Sequence, residues 1–187
     1  MHPTLVREPF HRDGWVYEEK YDGWLIVVAY KDGERVRLFS RNGRDHTARF
    51  ADIAGSIAQL PARTLILDGE VCAFDAQLVS HIYLLDATAE EPAAPPVFMA
   101  FDCMYVRGRD LRDRPLSYRK RALEDAIGRA GYHVYPARRL HPHGIDAWAE
   151  VKQRGYEGLV AKREASVYRA GPTLQSAAPT SLPKFCR

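Results

Sequence analysis

Residues 24–40 set the first constraint on the fold. Trp24-Leu25-Ile26-Val27-Val28-Ala29-Tyr30 is an unbroken apolar run of strand length. Lys31-Asp32-Gly33 follows it, and an Asp-Gly pair accepts the positive φ that a tight turn demands. Residues 35–40 then alternate polar and apolar, as Arg35, Val36, Arg37 and Leu38, which is the two-residue period of a half-buried strand. The segment therefore predicts a β-hairpin, with a second turn at Asn42-Gly43.

The remaining pattern mixes strands with short helices. Ile53, Ile57 and Leu60 recur at helical spacing, which predicts a helix over 50–60 closed by Pro61. Strands are expected over 64–67 and 70–74, on either side of a break at Asp68-Gly69. Residues 97–106 read as a buried strand and 116–127 as an amphipathic helix on Leu116, Ala122, Leu123 and Ile127. Residues 133–140 are strand-like, 146–154 form a short helix ended by Gly155, and 159–162 form a strand. Residues 1–15, 90–96 and 171–179 read as irregular or loop. The expected class is α+β: mostly antiparallel β-sheets with helices packed on them.

At 187 residues the chain can bury one sizeable core, or a core with a small subdomain. The net charge is only +3, yet cations are locally dense: Arg107, Arg109, Arg112, Arg114, then Arg119-Lys120-Arg121 and Arg138-Arg139. These read either as a solvated surface or as a face that tracks phosphates. The spacing of Cys72, Cys103 and Cys186 fits neither a zinc site nor a disulfide framework. Cys72 and Cys103 lie in apolar runs and are expected to be buried, which suits a reducing cytosol. No signal region opens the sequence and no apolar run approaches a membrane span.

Chemistry concentrates in six short segments. In Lys20-Tyr21-Asp22-Gly23 a lysine stands at the mouth of the first apolar strand. A lysine attacking phosphorus must be neutral, so burial or nearby cations are expected to lower its pKa. Ser40-Arg41-Asn42-Gly43 sets an arginine fork beside a tight turn, suited to a phosphate or sugar. Leu67-Asp68-Gly69-Glu70-Val71 offers Glu70 as a ribose or metal ligand. Phe98-Met99-Ala100-Phe101-Asp102 offers a ring for stacking on a base. Glu157-Gly158-Leu159-Val160-Ala161-Lys162 pairs a carboxylate and an ammonium along one strand, and Lys184 follows in Leu182-Pro183-Lys184-Phe185. Taken singly, each reads as an ordinary ion pair, core ring or solvated lysine.

In this order the six segments resemble the covalent nucleotidyltransferase superfamily of DNA ligases, RNA ligases and mRNA-capping enzymes. Within it they are most similar to the adenylation domain of bacterial ATP-dependent DNA ligases of end joining. The resemblance runs from Glu18 to Lys184. It implies an ATP-grasp-like nucleotidyltransferase fold of antiparallel sheets flanked by helices. It implies that Lys20 attacks the α-phosphate of ATP to form a lysyl–AMP, and that AMP passes to a DNA 5′-phosphate before a 3′-hydroxyl seals the nick. Glu18, Tyr21, Asp22, Gly23, Arg41, Glu70, Phe101, Lys162 and Lys184 are then the nucleotide-binding set. Glu18 is expected near the adenine amino group, Phe101 under the base, Arg41 and Glu70 at ribose or nick phosphate, and Lys162 and Lys184 on the α-phosphate. Glu70 and Glu157 would hold magnesium, with manganese as the alternative. The implied partners are ATP and nicked double-stranded DNA, in the bacterial cytoplasm at the nucleoid.

Three departures from the family pattern stand out. Leu25 occupies the place of an arginine, and Leu182, Pro183 and Cys186 alter the last motif. Residues 1–187 read as a single adenylation domain with none left for the OB-fold domain that usually follows, an expectation that favours a standalone domain or one completed in trans. Two other functions remain open at this point: an RNA ligase or capping-type transferase, and a non-catalytic module that binds nucleotide or DNA.

Overall fold

The computed structural model describes residues 2–86, 95–128, 132–169 and 172–179. The larger of two sheets grows from the hairpin. Strand β3 (Trp24–Asp32) pairs antiparallel with β4 (Arg35–Ser40) on one side and with β5 (Thr64–Cys72) on the other. Beyond β5 lies β6 (Val97–Val106), which carries β7 (Arg109–Asp110) antiparallel near one end and β8 (Val134–Pro136) parallel near the other. Gly33 makes the hairpin turn at φ 59°, the backbone region that Asp-Gly was expected to supply.

Two helices cover this sheet. Helix α1 (Ala51–Gln59) turns Ile53 and Ile57 inward, each almost fully buried and each contributing about 1.5–3 kcal/mol of apolar burial. The Lys31 ammonium, itself buried, donates to the carbonyls of Ala58 and Leu60 and so satisfies the end of α1. Helix α2 (Leu116–Ile127) buries Leu116, Leu123, Ala126 and Ile127. With β3, β5 and β6 these helices enclose the main core of Ile26, Leu38, Leu65, Leu67, Phe98 and their neighbours.

The smaller sheet runs in the order β1 (His2–Val6), β10 (Pro172–Pro179), β9 (Gly158–Arg163), β2 (Trp15–Lys20). Helix α3 (Gly144–Arg154) packs over it on a second core of Tyr17, Leu140, Ala147, Val151, Tyr156 and Leu159. A third cluster, of Tyr21, Cys72, Phe74, Met99 and Ala137, joins the two sheets. Both described cysteines are buried free thiols, and among the described residues no helix is long and apolar enough to cross a membrane.

The α+β class holds, and three local expectations do not. Residues 2–6 form a strand, because they pair parallel with β10. Residues 172–179 are that strand rather than a loop. The contact joins the two ends of the described chain and leaves no local signature in either segment. The expected Asp68-Gly69 break does not end the strand, since β5 runs from Thr64 to Cys72, and what remains there is a shift of register against β6. Gly69 is there for close approach: a Cβ would lie 2.5 Å from the Met99 carbonyl oxygen and 2.5 Å from the Phe98 ring. The expected 133–140 strand shortens to β8, and the expected loop over 90–96 falls largely outside the described residues.

Candidate active site

Lys20 ends β2 opposite Gly158 of β9, and the chain then crosses to the larger sheet within three residues. That crossing explains the Tyr-Asp-Gly that follows. Tyr21 is buried between the sheets, with its hydroxyl accepting the Arg138 N–H at 2.8 Å and its ring nearly parallel to Phe101 at 6.2 Å. Asp22 anchors the loop after β5: its N–H donates to Ser80 Oγ at 2.9 Å, and its carboxylate accepts the Ile82 N–H at 3.4 Å. Gly23 passes so close to β5 that a Cβ would sit 2.4 Å from the Val71 carbonyl oxygen, and its N–H donates to Glu70 Oε1 at 3.2 Å.

A cavity of about 340 Å³ opens beside this crossing. Lys20, Tyr21, Gly23, Arg41, Glu70, Phe101 and Lys162 all line it, together with Leu25 and Asp68. Seven of the sequence-predicted residues are thereby brought into one space. The size and mixed lining are those of a small-molecule site. Arg41 also borders a wider, more open cleft with Trp24, Asn42, Arg44 and His46. Arg41 and Arg44 line that cleft and no carboxylate does, so it is electropositive; the lowered pKa of His46 comes first from burial and then from Arg44 and Arg49, with Asp45 opposing.

The charged partner of Lys20 is an anion. Its ammonium pairs with Glu157 Oε1, and its side chain is 35% exposed. The expected setting of burial or neighbouring cations is therefore not what its described ion pair provides. Burial pushes the Glu70 carboxyl up to about 7; Lys20 opposes the rise, while Glu157 and Asp22 add to it. Lys20, Glu70 and Glu157 thus form one electrostatic group.

Glu18 is placed differently from expectation. It is 1% exposed, and its two carboxylate oxygens are taken by Lys120 and by Lys162, the latter at 2.6 Å. Burial would raise its pKa, but the two lysines outweigh that and hold the carboxylate below its ordinary range. The side chain is committed to an internal ion cluster rather than presented to a base. Lys162 Nζ also lies 5.1 Å from the centre of the Phe101 ring, a cation–π contact. Asp102, next to Phe101, is gripped bidentately by the fully buried Arg119, with both bonds at 2.8 Å. Lys184 lies outside the described residues.

Arg119 and Lys120 therefore belong to neither a solvated surface nor a phosphate-tracking face. The signal was present in the spacing. Positions 116, 119, 120, 123 and 127 share one face of α2, so the two cations point inward with the leucines.

Among the described residues no three acidic, histidine or cysteine side chains converge as a closed metal site. Magnesium does not require one, because it takes one or two carboxylates and fills its shell with phosphate oxygens and water. Glu157 Oε2 is buried and has no hydrogen-bond partner, and Glu70 lies in the same electrostatic group. The residues present fit such an ion.

Comparison with known proteins agrees with this architecture. The ATP-dependent DNA ligase domain model matches residues 4–176. The chain is 33% identical over 169 residues to the multifunctional non-homologous end joining protein LigD of Pseudomonas aeruginosa, covering 89% of this chain and 20% of that protein. It is 34% identical over 181 residues to a probable DNA ligase of Nocardia farcinica, covering 82% of this chain and 34% of that one. The ligase domain of Mycobacterium tuberculosis LigD superposes with a TM-score of 0.78 at 27% identity, covering 94% of this chain and 58% of that one. A mycobacterial DNA ligase D solved with ATP superposes at 0.77 with 25% identity, covering 95% of this chain and 59% of that one. The chain thus spans about a fifth to a third of these two curated relatives, and under two thirds of the solved ligase chains. It belongs to the ATP-dependent DNA ligase domain family.

Proposed function

We propose that the chain is the adenylation domain of an ATP-dependent DNA ligase acting in DNA repair. The observation that carries this is the meeting of Lys20, Glu70, Arg41, Phe101 and Lys162 around one cavity. Adenine stacks on Phe101, as bases do on aromatic rings. Lys162, and Lys184 beyond it, neutralise the α-phosphate. Lys20 Nζ gives up a proton to water and attacks the α-phosphorus, so that a P–N bond forms as the bond to pyrophosphate breaks and pyrophosphate leaves. The AMP passes next to a DNA 5′-phosphate, and a 3′-hydroxyl displaces it. Arg41 and the electropositive cleft beside it suit the phosphates of a nicked duplex.

Glu157 and Glu70 would hold magnesium, or manganese in its place. Such an ion would supply positive charge against the charge that develops on the phosphate, and Glu157 is also the carboxylate that pairs with Lys20. Leu25 lines both the cavity and the open cleft but carries no donor, so phosphate binding there falls to Arg41. The residues expected from an OB-fold domain are the partner that completes the first step, in the same polypeptide or in trans. The working location is the cytoplasm, at the nucleoid.

The test is incubation with α-labelled ATP or GTP and magnesium, followed by nicked duplex. Label taken from ATP onto Lys20 and then moved to the DNA 5′ end supports the reading. Label taken from GTP alone would point to a capping-type transferase. ATP binding with no covalent label, even with the OB-fold domain of a relative supplied, would point to a binding module.

A further inference from the structure

Lys120 has no task in the reaction above, yet it shares a carboxylate with Lys162, which lines the site. It projects from α2 with its side chain 5% exposed and pairs with Glu18 Oε1. Lys162 projects from β9 and pairs with Glu18 Oε2 at 2.6 Å. One carboxylate thus faces two ammonium groups, and the cluster carries a net charge of +1. The two lysines differ in what else they reach. Lys162 lines the cavity, beside Phe101. Lys120 is not part of that lining. Burial pushes Lys120 down to about 8, the charge of Glu18 opposes this, and that of Lys162 adds to it, as expected when two cations share one anion.

We infer that Lys120 is a positioning residue that frees Lys162 for the nucleotide: by keeping Glu18 neutralised, it lets the Lys162 ammonium leave that carboxylate and turn to a phosphate in the cavity. This rests on the reading of Lys162 as an α-phosphate ligand. The physical reason is the cost of a lone buried charge. If Lys162 were the sole counterion of Glu18, moving it would strand a carboxylate in the interior, which is strongly unfavourable. With Lys120 in place the carboxylate keeps a partner throughout. A lysine suits the moving role because its ammonium sits on a flexible stem with rotatable donors.

The charge count gives the test. Lys120→Met lowers the cluster to zero and locks Lys162 onto Glu18. Adding Glu18→Gln returns it to +1 and releases Lys162. The probe is α,β-methylene-ATP, which cannot transfer AMP, with its Kd measured by calorimetry and folding checked by thermal melting. Lys120→Met is expected to weaken binding by at least about tenfold, the scale of one charge-assisted contact. Lys120→Arg, which keeps the charge, should stay near the unaltered chain, and the Glu18→Gln, Lys120→Met double variant should recover most of the loss. Unchanged binding in Lys120→Met, or a double variant as weak as the single one, would overturn the inference. Should Lys120→Met not fold, Glu18→Gln is compared with the double variant. With no carboxylate to hold, Lys120 has no task and the two should bind alike; a further tenfold loss there also overturns the inference. Absence of any binding by the unaltered chain would instead overturn the functional reading, and this inference with it.

Discussion

The site's chemistry is set by a few charges held out of water. Glu70 and Glu19 are both pushed up to about 7, Glu70 by burial against Lys20 and Glu19 by burial against Arg138. A carboxyl whose pKa is higher in the folded state binds its proton more tightly there than in the unfolded chain. Its contribution to stability is therefore full below the ordinary carboxylate pKa and is lost as pH rises towards about 7. Thermal melting from about pH 5 to about pH 8 should show a falling contribution from Glu70, on the order of 2 kcal/mol, and Glu70→Gln should flatten that part of the profile. A profile identical in the variant would mean that Glu70 titrates normally. Arg119 makes a second prediction at this scale. Arg119→Met strands Asp102 beside Phe101 and should cost about 3–5 kcal/mol, read as a lowered denaturant midpoint. A change within about 0.5 kcal/mol would contradict the buried bidentate pair.

At the scale of elements, the two motif glycines permit contact between strands. Gly69→Ala would drive a methyl into the Met99 carbonyl and the Phe98 ring across β5 and β6. It should cost about 1–3 kcal/mol as overpacking, measured by chemical denaturation, and a neutral result would contradict the described register. The same glycine shows where sequence reading stops. An Asp-Gly pair looks identical whether it turns a chain, as at Gly33, or lets a neighbouring strand approach, as at Gly69, and only the partner strand tells the two apart. The hairpin of β3 and β4 was legible because both strands and their turn are adjacent in sequence. The span of α2 was legible from its apolar spacing, and the same spacing puts Arg119 and Lys120 on its buried face, although a dense run of cations by itself suggests a solvated surface. Strands β1 and β10 were hidden for a different reason: β1 is specified by a partner some 170 residues away, β10 lies between that strand and β9, and neither alternates strongly by itself.

Across the whole molecule, two sheets meet at a short connection, and the residues at that connection line the candidate site. The ordered motifs already name seven of the residues that line the cavity. What the order could not supply was the pairing: that Lys20 faces Glu157, and that Glu18 is locked between Lys120 and Lys162. The net charge of +3 is modest, so DNA affinity should depend on the local cleft around Arg41 and Arg44 rather than on the global field. Binding of nicked duplex should weaken by at least about tenfold between about 50 mM and about 200 mM salt, and Arg41→Ala should make that dependence shallower. Affinity insensitive to salt would contradict a phosphate-binding cleft. The central claim is that Lys20 becomes covalently adenylated, and intact-mass spectrometry after incubation with ATP and magnesium tests it most directly. A gain of one AMP that is absent in Lys20→Ala is expected; an adduct that persists in Lys20→Ala, or none at any ATP concentration with the OB-fold domain of a relative supplied, would contradict adenylation at Lys20.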